Sequence, residues 1–254
     1  MHDDLDPGLA PGVCRPIAPG VSVERRSFLG LAAAALLLAR RTGAGTHGAT
    51  LPDDLELDYE AFLALAVPVA RELVADTSRL GEDRYLHTLA ALAVRLVDVP
   101  IPELRKKGEG YDGPHTWIGA NDGGDDDPFV VLHWKMEPGS EIGLHAHTFG
   151  NVVTLGLEGV ARIRNFEMVG ERDFETKSAF RVRRSAEQLL TPGTINLVPL
   201  SHGYCHGFVA GREGARGLDI TTRIRPKRTA PLLDVADEPA DEQGWEYEAR
   251  WRFE

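Results

Sequence analysis

Two histidines stand one residue apart in the stretch GLHAHTFGN at positions 143–151. In an extended strand side chains alternate between the two faces, so His145 and His147 share one face while Ala146 points to the other. Two imidazoles on one face make half of a metal site of the kind that suits iron, zinc or copper. Two histidines on a solvated strand would show the same spacing. A protein metal site usually takes three or more ligands. The stretch LSHGYCHGF at 200–208 supplies His202, in a loop, and His206, at the opening of a strand. His87 falls on a helical segment, and His115 and His133 lie ahead of or early in the strand region; all three are read as structural.

These residues need a frame, and the pattern changes once along the chain. Over 57–99 apolar residues recur at three- and four-residue spacing, which predicts two helices: one dented or broken at Pro68, the second over 85–97, stopped by Pro100 and Pro102. From 129 onward the chain reads as short strands with turns at Pro138-Gly139, Glu158-Gly159 and Pro192-Gly193. Strands are expected near 116–118, at 129–136, through the paired histidines, at 151–157, 160–166, 195–198, 205–210 and 217–224. Many short strands between such turns suggest a small barrel or jelly roll. Near the end, 245–253 alternates aromatic and charged residues, as a late strand pairing on the barrel would.

The 254 residues are 43% hydrophobic and 26% charged, enough for one domain with a good core plus extensions. A formal net charge of −11 argues against nucleic acid and anionic membrane as partners. The two cysteines, Cys14 and Cys205, make no disulfide framework. In VERRSFLGLAAAALLLA at 23–39, the pair Arg25-Arg26 precedes a short apolar run. The run falls well short of the ~20 residues a spanning helix needs. The segment resembles a bacterial twin-arginine export signal, which would place the protein in the periplasm or outside the cell. The expected organisation is therefore an export signal and linker over 1–49, a helical segment over 50–105, a barrel over 106–230 and a C-terminal extension over 231–254.

Several features together resemble the cupin barrel: Pro138 followed by GSEIGLHAH at 139–147, the Glu158-Gly159 turn, and TPG at 191–193 with His206 thirteen residues past Gly193. More narrowly they resemble the thiol dioxygenases: cysteine dioxygenase, plant cysteine oxidase and cysteamine dioxygenase. The resemblance covers roughly 57–226 and includes Leu218-Asp219-Ile220, with Asp219 thirteen residues after His206. It implies a mainly β, cupin-type jelly-roll barrel with N-terminal α-helices. It also implies that His145, His147 and His206 hold one Fe(II) with three positions open, and that a small-molecule thiol and O2 combine there to give a sulfinate. Asp219 would hold a ligand imidazole or a substrate amine, or else pair with Arg216 or Arg223. Tyr204 would turn its phenol to the pocket or cap its loop, and Cys205 would be a redox thiol or a buried hydrophobe.

The chain departs from the general cupin pattern at Phe149, Gly150, Asn151 and Val152, where a fourth, carboxylate ligand is missing; this favours the three-histidine subgroup. Trp117 stands near the place of the arginine with which cysteine dioxygenase clamps its substrate's carboxylate. The Ser-His-Tyr run is absent, with Asp219, Thr221 and Arg223 in its place. Arg225 lies near the place of the plant-type tyrosine. Free cysteine is therefore not the expected substrate. Two other readings stay open: zinc in the same site, activating water or serving a sensor, and a metal-free barrel that binds a sugar or other small molecule.

Overall fold

A computed structural model describes residues 55–75, 78–106, 116–122, 128–170, 173–202, 204–224 and 231–252. The export-signal segment, Cys14, His115 and Arg225 lie outside the described residues.

Two helices open the described chain, α1 (Tyr59–Ala75) and α2 (Arg79–Ala93). Helix α1 continues through Pro68 instead of breaking there. The carbonyl that Pro68 cannot bond belongs to Ala64, on the exposed side, while Phe62, Leu65, Ala66, Val69 and Ala70 are buried and keep the helix packed. Helix α2 begins six residues before the expected start, because Ser78 caps it: its Oγ accepts from the Gly81 N–H at 3.1 Å. Its buried stripe is Tyr85, Leu86, Leu89, Leu92 and Ala93, joined at the N-terminal end by Glu82.

The rest is antiparallel β-structure: β1 (Arg105–Lys106), β2 (Thr116–Asp122), β3 (Phe129–Met136), β4 (Glu141–Ala146), β5 (Gly150–Met168), β6 (Phe180–Leu190), β7 (Ile195–Val198), β8 (Tyr204–Arg223), β9 (Leu232–Val235) and β10 (Glu246–Arg252). Strands β5 and β8 are each continuous where the sequence pattern suggests two strands. They run side by side along their whole length, and each changes partner halfway. One half of the pair lies between β3 and β7; the other lies between β4 and β6. The change of sheet occurs at Gly159 (φ +64°) and Gly214 (φ +77°). A Cβ at Gly159 would clash with the Gly214 carbonyl, so the two strands cross with bare backbone in contact. The ladder shifts register at this point and continues in the same direction, so these glycines make a corner, not a reversal.

The two sheets face each other over a core of Trp134, Met136, Ile142, Ile163, Leu190 and Phe208. The helices cover the outside of the β3–β8–β5 half: Phe62 meets Phe129, and the Tyr85 hydroxyl meets Thr222 Oγ1. Glu82 is 3% exposed. Its carboxylate accepts from Asn151 Nδ2 at 3.1 Å and from the backbone N–H groups of Leu200 and Ser201, each at 2.8 Å. These bonds tie α2 to β5 and to the short 3₁₀ turn Leu200–His202 that leads into β8.

Glu82→Ala would strand two buried donors and a half-buried one and is expected to cost about 3 kcal/mol. Urea unfolding at neutral pH measures this, with Glu82→Gln losing less because it keeps one acceptor.

Candidate metal centre

Alternation alone would put Ile142 and His145 on opposite faces; the register irregularity between them turns both toward the barrel interior, and His147, just past the end of β4, joins His145 there. His145 pairs across the ladder with His206, and His206 with Asn165. Residues on paired positions of adjacent strands share a face, so β4, β8 and β5 bring two imidazoles and one amide to one patch of wall, and His147, just past β4, adds the third imidazole. His145, His147 and His206 are 6%, 7% and 0% exposed. Their ring centroids lie 4.7–4.9 Å apart. One nitrogen from each falls within 4.8 Å of the others. His147 Nε2 and His206 Nε2 are only 2.9 Å apart.

Each ring is poised as a neutral donor. Burial lowers the pKa of all three; for His147 and His206 the charge of the neighbouring imidazoles lowers it further. His145 Nδ1–H donates to the Gly143 carbonyl at 2.9 Å, which leaves its Nε2 lone pair free. Three buried, uncharged nitrogen donors at this spacing fit a divalent metal of the borderline class. Among the described residues no carboxylate joins the cluster. Phe208 packs edge-on to His206 at 4.8 Å and Trp134 packs on Phe208 at 5.3 Å, so the wall beside the cluster is apolar.

Asp219 lies on the inner row of β8, opposite Leu132 and Thr154, and accepts from Thr154 Oγ1 at 2.7 Å. Burial pushes its pKa up to about 6, with the Thr154 hydrogen bond pulling the other way. Arg216 pairs instead with Glu158 at 3.1 Å. Tyr204 opens β8, and its hydroxyl bonds Glu167 and Ser185 on the neighbouring strands; burial and the Glu167 charge raise its pKa. Cys205 alternates with His206 and faces away from the cluster, among Ala146, Phe166 and Trp251; burial pushes its thiol up to about 12. His133 is buried in β3 on the face opposite Trp134, with its pKa pushed down to about 4 by burial and by Arg216. His87 Nδ1 bonds the Asp83 carbonyl on α2.

Two residues escaped the sequence reading. Asn165 is buried beside His206, with Nδ2 reaching the Leu197 carbonyl and Oδ1 meeting no partner among the described residues. The signal was a polar residue on the inner row that Ala161 and Ile163 begin. Glu82 is the second, an acid on the apolar stripe of α2.

A mainly β, antiparallel jelly-roll barrel of the cupin type, with helices before it and an inward-facing histidine triad, is the class these features define. No protein-family model and no curated protein matches the chain. Among solved structures it is similar to KdgF from Halomonas sp., at 16% identity over 50% of this chain and 89% of that one, with a TM-score of 0.35. It is similar to the cupin domain of Cnp3 from Schizosaccharomyces pombe, at 11% identity over 48% of this chain and 68% of that one, TM-score 0.34. It is also similar to the ribosomal oxygenase YcfD of Escherichia coli, at 22% identity over 39% of this chain and 23% of that one, TM-score 0.29.

Asp219 gives a pH test. Its folded pKa of about 6 lies above the ~3.9 of an unfolded aspartate. The folded state therefore holds this proton more tightly, and the group makes stability fall as pH rises between those values. The buried histidines, with lowered pKa values, slope the other way, so the comparison must be with a variant. Asp219→Asn is expected to gain on the wild type by about 2 kcal/mol between pH 4 and pH 7. A constant difference in urea midpoint over that range would show that the carboxyl carries no such cost.

Proposed function

We propose that the protein is a mononuclear non-haem iron enzyme that oxidises a small thiol to a sulfinate with O2. The observation that carries the metal reading is the convergence of His145, His147 and His206, three buried neutral donors on β4, just past its end and on β8, with one nitrogen of each within 4.8 Å of the others. The three-histidine set without a carboxylate supports iron of the thiol dioxygenase kind, as does the sequence resemblance.

Bound Fe(II) would supply a redox-active centre at which thiol and O2 are held together, RSH and O2 combining to RSO2H. The chain's own residues do the rest. His145 keeps its lone pair inward through its bond to Gly143. Trp134, Phe208 and Ile163 keep the wall dry on one side. Asp219, with Thr154 beside it, places a hydrogen-bond acceptor on the inner row, where it would receive a donor group of the substrate. Tyr204, whose hydroxyl engages Glu167 and Ser185, has no part in this scheme.

Elemental analysis of protein purified without added metal tests the site. Near-stoichiometric iron in the wild type, lost in His206→Ala, is the expected result, followed by thiol-dependent O2 uptake that is at least about 100-fold slower in His206→Ala. Stoichiometric zinc with no O2 uptake would favour a hydrolytic or sensor role, and no metal in either protein would sink the site.

The reading includes export through the twin-arginine-like segment. Replacing Arg25 and Arg26 together by Lys is expected to hold the protein in the cytoplasm, as followed by cell fractionation; unchanged export would remove that assignment. Among the described residues no helix is long and apolar enough to cross a membrane.

A further inference from the structure

We infer that the C-terminal strands β9 and β10 are the positioning element of the histidine wall, setting the spacing of His145, His147 and His206 from behind. This rests on the reading that the three histidines hold a metal.

Strand β4 carries His145, with His147 just past its end, and is held on one edge by β8, through a ladder interrupted between Ile142 and His145. On its other edge β9 pairs with it at a single position, His145 with Leu232, and the Ala146 N–H donates to the Pro231 carbonyl at 3.0 Å. Just upstream the two strands part around a cavity of about 190 Å³ lined by Gly143, Leu144, Leu233 and Val235 among others. The clamp is thus confined to the histidine-bearing end of β4.

The rear face of the wall is occupied by the same segment. Ala146 and Cys205, which alternate with the histidines, are both fully buried. They pack with Phe166 and with Leu233, Tyr247, Ala249 and Trp251 of β9 and β10. Trp251 is itself fixed by Phe174 and Phe180, at 5.5 and 5.0 Å, and by its indole N–H on the Asp173 carbonyl at 3.0 Å. Strand β10 pairs with β6 and β9, β6 with β5, β5 with β8, and β8 with β4, so the pairings close a ring behind the histidines. A closed ring with a filled core resists the bowing an edge strand would otherwise allow. A metal site tolerates only ~0.5 Å of misplacement in its ligands, so packing behind the wall acts on the wall's inner face.

The test titrates Co(II) into metal-free protein and follows its visible absorption. Trp251→Ala and the milder Leu233→Ala, each confirmed folded by circular dichroism, are expected to weaken Co(II) binding at least about tenfold and to change the band shape. Trp251→Phe, which keeps an aromatic ring in the core, is expected to restore both. Leu89→Ala, in the buried stripe of α2 and outside the core that β9 and β10 share with Ala146 and Cys205, is the control for destabilisation alone and is expected to bind as the wild type does. Wild-type affinity in Leu233→Ala and Trp251→Ala, or an equal loss in Leu89→Ala, would overturn the inference. A wild type that binds no Co(II) would instead refute the metal reading on which it rests.

Discussion

Three neutral imidazoles, forced together inside a protein wall, set the terms for the rest of this molecule. Each brings a ring N–H and a lone pair into surroundings where an unmet polar atom costs about 1–3 kcal/mol. Only one contact within the group, His147 Nε2 to His206 Nε2, is of hydrogen-bond length, and His206 Nδ1 meets no acceptor among the described residues. Such a cluster does not assemble by mutual attraction. It must be held by the strands that carry it, and the fold supplies that hold on every side.

The two long strands do the first part. By crossing at Gly159 and Gly214, β5 and β8 belong to both sheets, so the wall with the histidines and the wall with Asp219 are continuous pieces of the same chain. Their separation depends on one bare-backbone corner, not on a flexible connection. The interior between them is apolar near the corner, where Trp134 and Phe208 meet, and gains polar groups beyond it, with Asp219 and Thr154 on one wall and the histidines and Asn165 on the other.

The outer layers do the second part, each from its own direction. Helix α2 reaches through Glu82 to the turn that launches β8, fixing where His206 begins. The C-terminal strands pack on the rear of the same wall through Ala146 and Cys205. Cys205 illustrates the division: one residue from His206, it belongs to a different core, and burial keeps its thiol protonated.

What the sequence determined by itself is what depends on neighbours along the chain. Alternation of period two settles that His145 and His147 share a face, the apolar spacing over 57–99 settles that helices precede the strands, and Pro192-Gly193 marks the break between β6 and β7, which both run antiparallel to β5. Ser78 shows the limit of the apolar stripe alone, since the cap, not the stripe, decides where α2 starts. What only the tertiary structure decided is what depends on pairing across long separations. Gly159 reads locally as a turn, yet it makes a corner because Gly214 lies against it. Asn165 reads as one polar residue in a half-exposed strand, yet the register of β5 on β8 sets it beside His206. Glu82 reads as a surface acid until the turn at Leu200 arrives with two unmet N–H groups. Side-chain periodicity is a property of one strand or helix, whereas register, corners and buried polar partners belong to pairs of elements, and no single stretch of sequence contains both members.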